Sequence, residues 1–267
     1  VEPNIIAPGG EISSGTVIDD FDYILPVKDG TCHSNIRNSI RLGLYDAVPY
    51  RAKLSIIANG PSALEADLKS LSPTLALNGS IRLFSDQGLA PTYWAGCDPQ
   101  ALLADYLPDD PPRDTVYFVA SKCHPSVFEK LKSRDVRLWH IADHKISRRQ
   151  HLPLACSVTL CASWLMHRLG YSDFEYWGWD GCFSGDRSHA GPGGDLKPGQ
   201  LYINHGGKKE DGVIVGGKTF ATTRTWAAEA YAAEQFFQLA KYFDIGVVVH
   251  GDGMIAAARA ATFGESE

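Results

Sequence analysis

Short apolar runs, each closed by a turn signal and most followed by an amphipathic stretch, recur along the chain from about residue 51. Residues 54–58 (LSIIA) have the composition of a buried strand. Asn59-Gly60-Pro61-Ser62 then turns the chain. The spacing beyond it predicts a helix with Ser62 as N-cap, Glu65 as its capping-box partner and Leu64, Leu68 and Leu71 on one face. Further strands are expected at 74–77, 92–97, 115–120, 136–141 and 174–179. Helices are expected at 100–106, 124–131 and 157–169, the last with Val158, Cys161, Leu165 and Leu169 along one stripe. Residues 213–215 and 218–220, around Gly216-Gly217, read as a hairpin. A long helix follows through Trp226, Ala230, Ala233, Phe237 and Ala240, then a last buried strand at 245–250 and a short helix in the tail.

This alternation calls for an α/β domain on a mostly parallel sheet with helices on both faces. Right-handed crossovers bring the loops that follow the strands to one edge, where such sheets bind ligands. Asn59, Asn78, Asp98 and Asp180 each stand where a strand stops, so four polar side chains are expected on one rim. A capped helix after Gly60 would aim backbone N–H groups and a positive dipole end at that rim, a recipe for holding a phosphate. Residues 181–212, rich in Gly, Pro and charge and without periodicity, read as a lid-like insertion. Residues 1–50 carry turn signals and an amphipathic stretch at 35–44, and read as an extension packed on the core domain of residues 51–267.

Composition narrows the class. A length of 267 residues, 44% hydrophobic and 21% charged, suits a globular protein with one large core. No apolar run reaches membrane-spanning length and no basic-then-apolar leader opens the chain, so the expected location is the cytoplasm. Six cysteines without a CxxC pair suit reduced thiols. A net charge of −6 offers no clear nucleic-acid surface, but a nucleotide site needs only local positive potential. Oligomeric state stays open.

Several segments together resemble a known family. IIANGPSALEADL, LALNG, YWAGCDPQ, CSVTLCASWLMHRLGYSDFEYWGWDGCF and RSHA occur in the order and spacing of the 6-hydroxymethylpterin diphosphokinase MptE-like domain. That family is similar to the Maf flagellin glycosyltransferases and to bacterial CMP-sialic-acid sialyltransferases. The resemblance spans about residues 54–190 and implies a Rossmann-like nucleotide-binding domain. It further implies that Asn59, Gly60, Pro61, Ser62, Asn78, Asp98, Ser157 and Thr159 bind the nucleotide. Asp180 would be the acidic residue of a GxD motif, and His189 the general base of an SHY-like motif. Two departures stand out: no Arg precedes the helix at Pro153-Leu154, and Ala190 replaces the Tyr. Both weaken a CMP-sialic-acid reading specifically.

Three functions follow as expectations. The first is a nucleotide-dependent, glycosyltransferase-like enzyme that moves a group from a nucleotide-activated donor (CMP- or another sugar nucleotide) to an acceptor hydroxyl. In it His189, with an ordinary pKa near 6.5, takes the proton. The second transfers pyrophosphate from ATP to a pterin-like alcohol, with Mg²⁺ held through Asp98 and Asp180. The third holds a nucleotide without turnover. Other chemistry-bearing residues read as structural. His140 and His144 lack the helix that a zinc pair four apart needs. Cys123, at a helix start, has no visible partner to activate it, and Trp177 and Trp179 read as core bulk on one strand.

Overall fold

The computed structural model describes residues 52–140, 157–190 and 210–264. The expected extension, the 35–44 helix, His144, Cys156 and the middle of the lid-like insertion lie outside them. Nine strands are described: β1 Ala52–Ile57, β2 Thr74–Leu77, β3 Tyr93–Gly96, β4 Val116–Ala120, β5 Asp135–Trp139, β6 Tyr171–Trp177, β7 Glu210–Val215, β8 Lys218–Thr222 and β9 Gly246–Val249. Seven of them form one sheet in the order β5-β4-β3-β2-β1-β6-β9, and every pairing in it is parallel. β7 and β8 form the separate antiparallel hairpin. The fold is α/β and Rossmann-like, as the alternation predicts.

Burial on both faces explains why the central strands are apolar runs: every residue of β2, and Leu54–Ile57 of β1, is buried. Register places Ile56, Leu75 and Tyr176 on one face of the sheet. Two helices attach there, α4 (Val158–Arg168) through Ser163, whose Oγ lies 2.8 Å from the Tyr176 hydroxyl, and α5 (Arg224–Tyr242) through Phe236 and Phe237. On the opposite face Trp94 and Tyr117, ring centroids 5.9 Å apart, are fully buried. Three shorter helices, α1 (Ile81–Ser85), α2 (Leu102–Tyr106) and α3 (Pro125–Lys130), follow β2, β3 and β4, and α6 (Met254–Phe263) follows β9. Among the described residues no helix is long and apolar enough to cross a membrane.

Three local expectations are corrected. After β1 there is no capped α-helix but a five-residue 3-10 turn, Pro61–Glu65, with Gly60 rather than Ser62 at the N-cap. Ser62 is drawn instead into contacts with the turn after β6, and Leu64 is 52% exposed. On α4 the buried side is Thr159, Leu160, Cys161, Ala162, Ser163 and Met166, so the expected stripe is rotated and Leu169 is exposed. Trp177 and Trp179 do not share a strand face. β6 stops at Trp177, and Gly178, with φ of +72°, reverses the chain between them. Trp179 enters the core beside Tyr176, as expected of core bulk, whereas Trp177 is only half-buried and stacks on His250 at 3.7 Å.

The sheet order fixes where a ligand site can form. The chain steps outward from β1 to β5, then crosses to the other side of β1 to lay down β6 and β9. Loops leaving β1 and β6 therefore diverge at their carboxyl ends and open a crevice between them.

Candidate functional site

That crevice is a cavity of about 480 Å³. Of the residues singled out in the sequence, Asn59, Gly60, Asn78, Asp98, Ser157, Thr159, Asp180 and His189 line it. They come from the ends of β1, β2, β3 and β6, the start of α4 and the segment after Gly181. Pro61 and Ser62 lie behind the wall and do not line it.

The turn after β1 is built as a clamp. Gly60 N–H donates to Gly178 O at 2.8 Å, Ser62 N–H to Asp180 Oδ2 at 2.9 Å, and Ala63 N–H to Gly60 O at 3.1 Å. Gly178 N–H in turn donates to Ser62 Oγ at 3.0 Å. Pro61 has no N–H. The donors that a phosphate cradle would use at Gly60 and Ser62 are thus engaged by the neighbouring turn, which corrects the expectation of an anion site on those groups. Gly60 is required there because a methyl group would collide with Asp180 Oδ2 and come within 2.6 Å of Gly178 O. From the turn before α6, Gly251 closes on the same carboxylate and on Ser62, and Gly253 on the Asp180 main chain.

Asp180 is buried, and desolvation raises its pKa, with Asp252 and Glu65 adding to the effect against the two Ser62 hydrogen bonds. Its Oδ2 faces the Ser62 N–H. Asp98 turns Oδ1 to the Gln100 N–H at 2.8 Å. Among the described residues no three His, Cys, Asp or Glu side chains are grouped to hold a metal ion.

Asn78 adopts φ of +47°, a conformation that Asn tolerates better than most residues. Its carbonyl accepts the Trp94 indole N–H at 2.8 Å and its Oδ1 faces Cys97 N–H at 3.4 Å. These bonds tie the ends of β2 and β3 to each other. Cys97 lines the cavity, and its hydrogen bond with Cys161, together with burial, pushes its thiol well above the usual range. Cys123 behaves alike: burial raises it to about 11, so the helix start at Pro125 does not activate it.

Ser157 caps α4, its Oγ accepting from Leu160 N–H at 3.3 Å, and sets the first turn of that helix against the cavity. His189 arrives because the chain after Gly181 folds back: Ala190 N–H donates to Asn59 O at 2.9 Å. The His189 ring lies 6.1 Å from Trp226, and its Nδ1 is 2.9 Å from Ser188 Oγ.

The lining also includes residues that carry no motif in the sequence. Lys122, after β4, is the one Lys or Arg among the described lining residues. Tyr106 closes the far side from α2. Glu229 of α5 accepts the Trp179 indole N–H at 2.7 Å and a bond from the Ser157 side chain, yet desolvation still raises its pKa. A signal for Glu229 existed: it sits three residues after Trp226 and four before Ala233, so it falls on the stripe by which α5 was recognised.

No protein-family model matches the chain, and neither does any curated sequence. The structure is similar to that of the MAf glycosyltransferase from Magnetospirillum magneticum AMB-1. The TM-score is 0.50 and the identity 10%, over 78% of this chain and 34% of that one. The chain spans about a third of the length of that enzyme. At this identity the likeness concerns architecture: the chain has a glycosyltransferase-like α/β fold.

Proposed function

We propose that the chain is a nucleotide-dependent transferase of the glycosyltransferase-like kind, moving a group from a nucleotide-activated donor to an acceptor hydroxyl. The observation that carries this reading is convergence: eight residues nominated by motif, spread over more than a hundred positions, line one cavity at the crossover between β1 and β6. The glycosyltransferase-like fold supports it, as does the MptE-like resemblance of the segments around those residues.

His189 is the general base. In the tautomer in which Nδ1 donates to Ser188 Oγ, Nε2 is the proton acceptor. Lys122 and the N-terminal turn of α4 are the groups that would face donor phosphate, since the N–H groups after β1 are engaged elsewhere. Asn78 and Asp98 border the same space and would contact the nucleoside.

The test is donor turnover, with CMP-, UDP- and GDP-sugars and ATP, each with and without Mg²⁺, in the wild type and in His189→Ala. Loss of a general base lowers the rate by a factor of about 10² to 10⁴ while nucleotide affinity survives. Nucleotide binding with no turnover of any donor would mark a binding protein instead. Strict Mg²⁺ dependence with AMP as product would mark pyrophosphate transfer.

A further inference from the structure

Glu229 is a carboxylate with an unusual setting. It lies on the cavity wall, partly buried, and among the described residues it forms no ion pair. Its partners are neutral donors, the Trp179 indole N–H at 2.7 Å and the Ser157 side chain, which belong to the turn after β6 and to the cap of α4. The Trp179 bond orients the carboxylate, and Ser157, itself held by Leu160 N–H, lies beside it. Withdrawing a carboxylate from water without a cation is costly, and here the carboxylate borders an open cavity rather than main chain. Trp226, one turn earlier on α5, and Trp179 line the same cavity. The combination is an indole-walled recess with an oriented acceptor. A ligand hydroxyl finds there an oriented acceptor and an apolar ring for its C–H face.

We propose that Glu229 is a specificity-determining residue that accepts the hydrogen bonds of a vicinal diol on the ligand. Two parts of a sugar nucleotide carry that chemistry, the ribose and the transferred sugar. The proposal rests on the reading of the cavity as a sugar-nucleotide site, and the ligands below separate the two.

The experiment is calorimetric titration of the wild type and Glu229→Gln with three sets of ligands. These are ribonucleoside monophosphates with their dideoxy counterparts, UDP-glucose against UDP, and methyl glucoside alone. Gln keeps an acceptor for Trp179 and a group for Ser157, so a purely structural role survives the change; an unaltered melting temperature checks this. Loss of a charge-assisted pair weakens binding by about tenfold to a hundredfold. Weakening confined to ribonucleotides, with dideoxy ligands unaffected, assigns the ribose; weakening of UDP-glucose beyond that of UDP assigns the sugar. Equal weakening of every ligand, or none, overturns the proposal while leaving nucleotide binding intact. If the wild type binds no nucleotide, the transferase reading fails and methyl glucoside alone decides. Binding that Gln abolishes then upholds the diol site, and no binding overturns it.

Discussion

Asp180 and Glu229 are two carboxylates on one cavity wall, and burial raises the pKa of both, yet their surroundings differ in kind. Asp180 is enclosed by main chain: Ser62 N–H bonds to it, and Gly60, Gly251 and Gly253 lie so close that none has room for a methyl group. Glu229 is held by side chains instead, Trp179 from the turn after β6 and Ser157 from the cap of α4. The first arrangement ties the turns after β1 and β6 and the turn before α6 into one piece. The second presents an oriented acceptor to whatever enters. Similar desolvation thus serves framework in one place and recognition in the other, and a shifted pKa alone does not tell them apart.

The comparison breaks most readily at Gly60. Gly60→Ala forces a methyl group against Gly178 O and Asp180 Oδ2, neither of which can withdraw without parting the two turns. Overpacking of this sort is expected to cost about 3 kcal/mol, read as a lowered urea midpoint with an unchanged slope. A wild-type midpoint would show that the turns are looser than the clamp requires.

Asp180 gives the next largest effect. Asp180→Ala leaves the Ser62 N–H buried without its acceptor, for an expected loss of about 2 kcal/mol. Asp180→Asn keeps an oxygen for that N–H and should retain most of the stability. If Asn instead abolishes donor turnover in a well-folded variant, the carboxylate charge has a chemical role beyond holding the turns.

What the sequence made legible follows from the same distinction. Strands buried on both sides announce themselves as apolar runs, so β1 to β4 were placed within a residue or two. β6 was begun three residues late because Tyr171–Trp177 alternates buried and half-buried positions, and only its apolar end was read. The turn after β1 misled because Pro61-Ser62 with Glu65 carries every local mark of a capped helix. The long-range bonds of Ser62 to Gly178 and Asp180, 116 and 118 residues away, override those marks. Asn59, Asn78, Asp98 and Asp180 were foreseeable as strand-end residues. Lys122 has no motif around it, and Glu229 is hidden because the apolar members alone define the stripe on α5.

A subtler contrast comes from pH. Both carboxyls hold a proton more tightly in the folded chain than in the unfolded one. Their contribution to stability is therefore complete below the ordinary carboxylate range, near pH 4, and is lost as pH rises through the raised folded values. Glu175 opposes them. Burial would raise its pKa, but hydrogen bonds from Lys53, His250 and Ser55 together hold it low, so its contribution is lost as pH falls. Glu229→Gln and Asp180→Asn should each gain on the wild type as pH climbs from 4 toward 7, measured by urea unfolding at each pH. A difference that stays flat across that range would mean the carboxyl in question titrates as it does in water.

The smallest effect separates the two accounts of the turn after β1. In an amphipathic helix Leu64 would face the core with Leu68, and truncating it would cost about 2 to 5 kcal/mol. In the 3-10 turn its side chain points to solvent at 52% exposure, while Leu68 is 5% exposed. Leu64→Ala should then change stability by less than about 0.5 kcal/mol, close to the limit of a careful denaturation curve. A loss of several kcal/mol would restore the helix. The Ser62 N–H, among the first four of such a helix and so without an intrahelical acceptor, would still keep Asp180 as its partner.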